Sequence, residues 1–420
     1  MKKVLLIDDS ITILKSLEFQ IQDEVKNVEI IKATSYTEAS HLLRRNKSDI
    51  VAAVVDLNLP DCESGNAVLL TSSHKIPTIV LTSSENENLK SLLMKKDVLD
   101  FIGKNSKKSL KFVSDLLNKV IRNYEITALV VDDSATSREA IKNDLEKLKI
   151  NVLVASDGKE ALEIMESSED KISLVLTDYN MPNMDGIDLT LKLRDSYDKD
   201  SLAIIALSAS EDDDILASFI KAGANDFLTK PHKFPELNVR VNSNLDTLDL
   251  FQTTKDLANK DYLTGSYNRR YFFEASEAIV SKNVRKDKEI AVATLDIDNF
   301  KNVNDTYGHD VGDIAIKEIA TVLNKYIRAS DLVARFGGEE YCLLLEDISL
   351  EDTQILFEKI RLGFEENEIV LKDLNLKYTV SLGVAYGKSN DIDEMLKVSD
   401  EALYEAKEAG RNRVVIHNVQ

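Results

Sequence analysis

Residues 335–341 read RFGGEEY, and residues 295–305 read LDIDNFKNVND. The first stretch is a Gly337-Gly338 pair followed by Glu339 and Glu340, with apolar runs on both sides. That pattern predicts a β-hairpin over 332–346. The second stretch is an apolar strand ending in Asp296. Adjacent strands would bring Asp296 and the two glutamates together, where paired metal ions can bridge carboxylates to a triphosphate. Glycine at 337 and 338 lets a nucleotide approach the backbone where a side chain would not. Around this core the pattern predicts strands at 289–296, 332–336, 341–346 and 378–386. Helices are predicted at 267–283, 311–328, 351–366 and 392–409, in a module that begins near Asp261.

Upstream, the chain repeats itself. VLLIDDS ending at Ser10 returns as LVVDDS ending at Ser134. Each copy continues with a helical pattern, a second apolar strand ending in aspartate and a third ending in a hydroxyl residue. The landmarks are Asp8, Asp9, Asp56, Thr82 and Lys104 in one copy, and Asp132, Asp133, Asp178, Ser208 and Lys230 in the other. Short apolar runs alternating with helical patterns indicate βα units on a parallel sheet. Such sheets place functional groups beyond the carboxyl ends of their strands. Three carboxylates gathered there repel by about 4 kcal/mol per pair at ~4 Å with an effective dielectric near 20. A hard cation such as Mg²⁺ relieves that repulsion. No Gly/Ser linker separates the copies, so the two are expected to dock closely. After Lys230-Pro231, residues 236–258 read as helix, with Leu237, Val241, Leu248 and Phe251 in a near-heptad stripe around Asn244. That stripe suits pairing with a partner helix, while packing on its own sheet accounts for at least the first half of the helix.

At 420 residues the chain suits about three domains of roughly 150 residues each. Its net charge of -20 argues against nucleic acid or an anionic membrane as a general partner. Cys62 and Cys342 stand alone, without disulfide or zinc spacing. Asp8 and Asp9 end the first apolar run after VLLI, too early for a signal peptide. No apolar stretch approaches the roughly 18 residues of a membrane span. The expectation is a soluble, cytoplasmic protein.

The repeated segments resemble the receiver domains of two-component response regulators. The segment from Asp261 onward resembles the GGDEF family of diguanylate cyclases. These resemblances imply an α/β chain: two flavodoxin-like doubly wound receivers at 1–124 and 125–245, a helical connector at 246–260, and a nucleotidyl-cyclase-like GGDEF domain at 261–420. They further imply that Asp56 and Asp178 accept phosphoryl groups. Asp8, Asp9, Asp132 and Asp133 would help to hold one Mg²⁺ per receiver, with the backbone of Asn58 or Asn180. Thr82, Phe101, Ser208 and Phe227 match switch positions, and Lys104 and Lys230 match phosphate-contacting lysines. The first copy departs from the pattern at LPDCESG and at Asn105, where the family prefers proline. If only one receiver is phosphorylated, the expectation is Asp178.

In the C-terminal segment the resemblance makes Asp296, the Ile297 carbonyl, Glu339 and Glu340 ligands for two Mg²⁺ ions. Glu339 also matches a proton acceptor, and Lys301 a lysine that stabilises the transition state. Asn304 and Asp313 match guanine-recognising positions, while Lys407 and Arg411 match phosphate contacts; at i, i+4 they are expected on one helical face. Arg328 and Asp331, with five residues between Asp331 and Gly337, match a product-inhibition site. There Lys359 stands for the family's second arginine, with Arg361 nearby. Tyr341 replaces the usual phenylalanine. The implied function is a phosphorylation-regulated diguanylate cyclase that converts two GTP to cyclic di-GMP and two pyrophosphates. One chain carries one such module, so activity implies a homodimer. A histidine kinase or phosphotransfer protein would supply the phosphoryl group, and cyclic di-GMP would be the feedback ligand. The alternative is an inactive GGDEF acting as a cyclic di-GMP or GTP receptor on a phosphorelay scaffold.

Overall fold

The structure, a computed structural model, describes residues 2–46, 49–83, 92–93, 98–104, 107–208, 213–328, 330–371 and 374–419. Asn105 lies outside them. The chain forms two compact units, Met1–Gln252 and Thr253–Gln420.

The first unit holds two five-stranded parallel sheets. Strands β1 (Lys2–Ile7), β2 (Val28–Ala33), β3 (Ile50–Asp56), β4 (Thr78–Thr82) and β5 (Val98–Gly103) lie in the order β2-β1-β3-β4-β5. Strands β6 (Thr127–Val131), β7 (Asn151–Ala155), β8 (Ile172–Asp178), β9 (Ala203–Ser208) and β10 (Asp226–Thr229) repeat it as β10-β9-β8-β6-β7. This is the doubly wound order expected from the repeat. Helices cover both faces, so β3 (IVAAVVD) is buried along its whole length instead of alternating. The serine of each DDS has a plain structural task. Ser10 Oγ accepts from the Ile13 N–H and Ser134 Oγ from the Ser137 N–H, capping the helices Ile11–Glu24 and Ala135–Lys147.

Close docking of the copies is seen directly. Asn123 Nδ2 donates to the Leu148 carbonyl at 3.0 Å, and Lys149 Nζ to the Lys75 carbonyl at 2.8 Å. Arg122 reaches Asn242 at 2.9 Å, Asp246 at 2.5 Å and Asp249 at 2.9 Å. The helix Phe234–Asn259 divides the near-heptad stripe. Leu237, Val241 and Leu245 are buried in the core beneath β6 and β9, with Leu248 packed beside them. Phe251 is 46% exposed, and Asn244 donates to Asp226 instead of marking a pairing seam. The first half of the helix therefore packs on its own sheet.

In the second unit, β11 (Tyr267–Asn268), β12 (Ile290–Ile297), β13 (Leu332–Gly337), β14 (Glu340–Glu346), β17 (Val380–Gly387) and β18 (Val414–Val419) form one mixed sheet. Its order is β11-β13-β14-β12-β17-β18, and β15 (Ile369–Leu371) pairs β16 (Leu374–Leu376) separately. Helices His309–Tyr326 and Leu350–Glu366 cover one face, and Arg269–Arg285 and Ile392–Glu408 the other. The sequence pattern missed β18, the short strands β11, β15 and β16, and the helix Phe300–Tyr307. It also carried one helix too far: the chain leaves it after Tyr326, so Arg328 lies beyond its end. Among the described residues, no helix is long and apolar enough to cross a membrane.

The helix Ile392–Glu408 lies directly on β17 at Gly383, where an added Cβ would sit 2.1 Å from the Ser399 carbonyl oxygen and 2.1 Å from the Leu403 nitrogen. Both neighbours are backbone and cannot move aside. Gly383→Ala is therefore expected to destabilise this unit by about 3 kcal/mol or more. Thermal denaturation of the intact chain checks this: an unchanged melting profile would contradict the packing.

Candidate functional site

The predicted hairpin forms, and it brings Asp296 to Glu340. Strands β12 and β14 pair antiparallel with Leu295 opposite Tyr341, so the next rung sets Asp296 across from Glu340. Gly337 and Gly338 make the turn at φ 150° and 53°, with no atom near enough to meet an added Cβ. Arg335 braces it, donating to the Gly338 carbonyl at 2.9 Å and to Asp261 Oδ1 at 2.8 Å. Asp296 is 7% exposed, and burial pushes its carboxyl up. Lys407 Nζ, 3.0 Å away, pulls it back. The Glu340 carboxyl is also pushed up, by burial and then by the charges of Asp296 and Asp400. Glu339 is half-buried on the same turn.

The other predicted contacts divide. Lys301 is exposed in the first turn of helix Phe300–Tyr307. Asn304 lies on the same helix against Gly312, where an added Cβ would fall 2.0 Å from its Oδ1. That close approach brings Asn304 to the neighbourhood of Asp313, and sequence reasoning passed Gly312 over. Lys407 and Arg411 do not share a helical face. The helix ends at Glu408 with Ala409 as its cap, and Arg411 follows at φ 63°. The i, i+4 expectation failed because Gly410 ends the helix between them (φ 113°).

Arg328 and Asp331 do meet. Their turn exchanges hydrogen bonds, the Arg328 N–H to Asp331 Oδ2 at 3.1 Å and the Asp331 N–H to the Arg328 carbonyl at 3.0 Å. Burial pushes the Asp331 carboxyl up. Both line a pocket of about 190 Å³ with Tyr326, Asp352 and Lys359. Arg361 is absent from it. Its guanidinium is taken by Glu358 at 2.7 Å, Glu365 at 2.7 Å and Asn412 at 2.9 Å.

The two sheets of the first unit end in matching acidic triads. Asp8, Asp9 and Asp56 offer oxygens within 4.8 Å of one another, as do Asp132, Asp133 and Asp178. In each triad Asp9 or Asp133 is exposed and the others are buried. Lys104 Nζ sits 2.7 Å from Asp8 and 2.7 Å from Asp56; Lys230 Nζ sits 2.5 Å from Asp132 and 2.5 Å from Asp178. Burial pushes the Asp56 and Asp178 carboxyls up, and the lysines oppose it. Thr82 and Ser208 are buried at the ends of β4 and β9, while Phe101 and Phe227 are half-buried. Asn58 and Asn180 are exposed, two residues past Asp56 and Asp178. Of the two cysteines, burial pushes the Cys342 thiol up to about 12, which leaves no thiolate for chemistry near neutral pH.

Two family models match this chain. The response regulator receiver domain matches residues 4–112 and 128–242, and the diguanylate cyclase GGDEF domain matches 258–413. The response regulator PleD of Caulobacter vibrioides (strain NA1000 / CB15N) is 30% identical over 298 residues, 68% of this chain and 65% of the relative. Diguanylate cyclase DgcM of Escherichia coli (strain K12) is 39% identical over 159 residues, 38% of this chain and 38% of the relative. A crystal structure described as a two-component system response regulator/GGDEF domain protein superposes with TM-score 0.53 at 38% identity, covering 59% of this chain and 100% of its own. The match spans just under two thirds of the length of the first curated relatives.

Tyr341 shows what the hydroxyl in place of phenylalanine does. Fully buried, it donates to the Ile316 carbonyl at 2.8 Å and ties β14 to the helix His309–Tyr326. Tyr341→Phe removes one buried hydrogen bond and should cost about 1 kcal/mol. A urea midpoint equal to or above that of the parent would show the bond to be idle.

Proposed function

Because the chain belongs to the response regulators, with two receiver domains ahead of a GGDEF domain, we propose that it condenses two GTP into cyclic di-GMP and two pyrophosphates. The observation that carries this reading is the meeting of Asp296 and Glu340 across β12 and β14, with Lys407 on Asp296 and the open Gly337-Gly338 turn beside them. We assign the receivers to 1–124 and 125–245, the connector to 246–260 and the cyclase to 261–420.

The acidic donors are all oxygens, which suits Mg²⁺. Asp296, the Ile297 carbonyl, Glu339 and Glu340 would hold two ions, and each receiver triad one, helped by the backbone of Asn58 or Asn180. Bound there, Mg²⁺ neutralises phosphate charge and makes a neighbouring hydroxyl more acidic. Glu339 takes the proton of the 3′-hydroxyl, whose oxygen attacks the α-phosphorus of the second GTP as pyrophosphate leaves. Lys301, Lys407 and Arg411 stabilise charge on the phosphate oxygens. Asn304 and Asp313 hold the guanine edge. Since each site binds one GTP and the product contains two, two chains must face each other as a homodimer.

Asp56 and Asp178 are the acceptors for a phosphoryl group from a histidine kinase or phosphotransfer protein. Lys104 and Lys230, already on those carboxylates, would follow the phosphoryl oxygens, with Thr82, Ser208, Phe101 and Phe227 answering the change. Phosphorylation would then favour dimerisation and raise the local concentration of cyclase modules. Cyclic di-GMP would return to the Arg328–Asp331 pocket, where a guanidinium meets phosphate and a carboxylate meets the guanine edge.

Product-stripped protein with GTP and Mg²⁺ should form cyclic di-GMP, faster with beryllofluoride and not at all after chelation. Unchanged activity with the mimic would discard phosphoryl control; no product under any condition would favour a receptor. Glu340→Gln should lower the rate by about 100-fold or more. Arg328→Ala should move the inhibition curve to higher product concentration without lowering the initial rate. An unmoved curve would remove that pocket as the feedback site.

A further inference from the structure

Two residues beyond Asp296, the carboxylate of Asp298 is only 6% exposed and accepts three hydrogen bonds. Ser381 Oγ donates at 2.6 Å, Thr379 Oγ1 at 2.7 Å and the backbone N–H of Asn412 at 3.0 Å. The Asp298 N–H returns a bond to the Thr379 carbonyl at 2.9 Å. Three of its roughly four lone-pair sites are thus engaged, which leaves it a poor ligand for a cation. All three partners donate here; an amide in its place would remove the charge and force the Ser381 or Thr379 hydroxyl to turn round and accept.

The bond to Asn412 reaches the far side of the site. Asn412 ends the turn that leaves helix Ile392–Glu408, where Gly410, Arg411 and Asn412 follow at φ 113°, 63° and 45°. A non-glycine residue in the left-handed region costs about 1–2 kcal/mol. Two in succession persist only where the surroundings hold them. Asn412 is held on its other side as well: Arg361 Nη1 donates to its Oδ1 at 2.9 Å, and its Nδ2 donates to Glu365 Oε1 at 3.1 Å. Between these fastenings Arg411 is left exposed, near enough to Asp296 for the two charges to interact.

We propose that Asp298 is a positioning residue that fixes the Gly410–Asn412 turn and so aims Arg411 at the phosphates of a nucleotide bound beside Asp296. This rests on the reading of the site as one that binds GTP. Asp298 itself touches neither nucleotide nor metal; its effect passes through Arg411.

A double-mutant cycle tests that route. Asp298→Asn and Arg411→Ala are made singly and together in the full chain. Each is read as kcat/KM for GTP and, separately, as affinity for a non-reacting GTP analogue with Mg²⁺. Asp298→Asn alone should lower both by about ten-fold, and in the Arg411→Ala background by no more than about two-fold. If Asp298→Asn fails to fold in a melting experiment, Thr379→Val carries the same cycle, because it removes one donor and leaves the carboxylate. Losses that multiply in full, or an Arg411→Ala that changes neither readout, would overturn the proposal. Absence of product from the parent chain would instead count against the cyclase reading, and the analogue affinities would still decide the role of Asp298.

Discussion

Three times along this chain a buried aspartate at a strand end is held by a lysine from a much later segment. Lys104 sits on Asp8 and Asp56, Lys230 on Asp132 and Asp178, and Lys407 on Asp296. Carboxylates are not left charged in such places without a partner, because burial raises their pKa and their mutual repulsion adds to it. The lysine answers both effects. In each module it therefore fixes where the strand ends, the later helix or loop and the acidic cluster meet. The buried sheets around them would pack with many sequences; these ion pairs are what confine function to one end of each sheet.

The same arrangement is one that the proposed phosphate chemistry would draw on. A lysine that neutralises carboxylates in the free protein is a cation already desolvated and aimed. Under the proposed function, a hard divalent ion held by the carboxylates would leave the ammonium at short range for a phosphoryl oxygen. The positioning cost has been met in folding, which is the main resource such reactions draw on. The receivers and the C-terminal unit reach this state from unrelated sheets, parallel in one and mixed in the other.

Much of this was legible in the sequence. The repeated DDS segments, the strand-ending Asp56 and Asp178, and the hairpin at Gly337-Gly338 follow from hydrophobic runs ended by charge or glycine. What was not legible depended on tertiary partners. The stripe Leu237, Val241, Leu248 and Phe251 has one pattern for two destinations, and only burial against β6 and β9 decides between them. Arg411 reads as helical until Gly410 is seen to end the helix. Asp298 carries no signal of its own: one more acidic residue after a strand, its three donors come from residues 81 to 114 positions away.

Arg361 shows how position along a chain and position in space part company. Only two residues from Lys359, it is the nearest arginine to that lysine by sequence. On a helix, two residues turn a side chain by about 200°, to the opposite face. Lys359 lines the pocket and Arg361 instead fastens Asn412, with Glu358 and Glu365 holding it there. On that side the pocket offers a lysine, a point charge without the planar fork of an arginine. Under the proposed feedback, affinity there rests mainly on Arg328 and Asp331, while helix Leu350–Glu366 touches both the pocket and the Arg411 turn. A ligand that moved Lys359 would act on the same rigid element that carries Arg361. Two residues of one helix thus serve two different neighbourhoods, the pocket on one face and the Asn412 turn on the other.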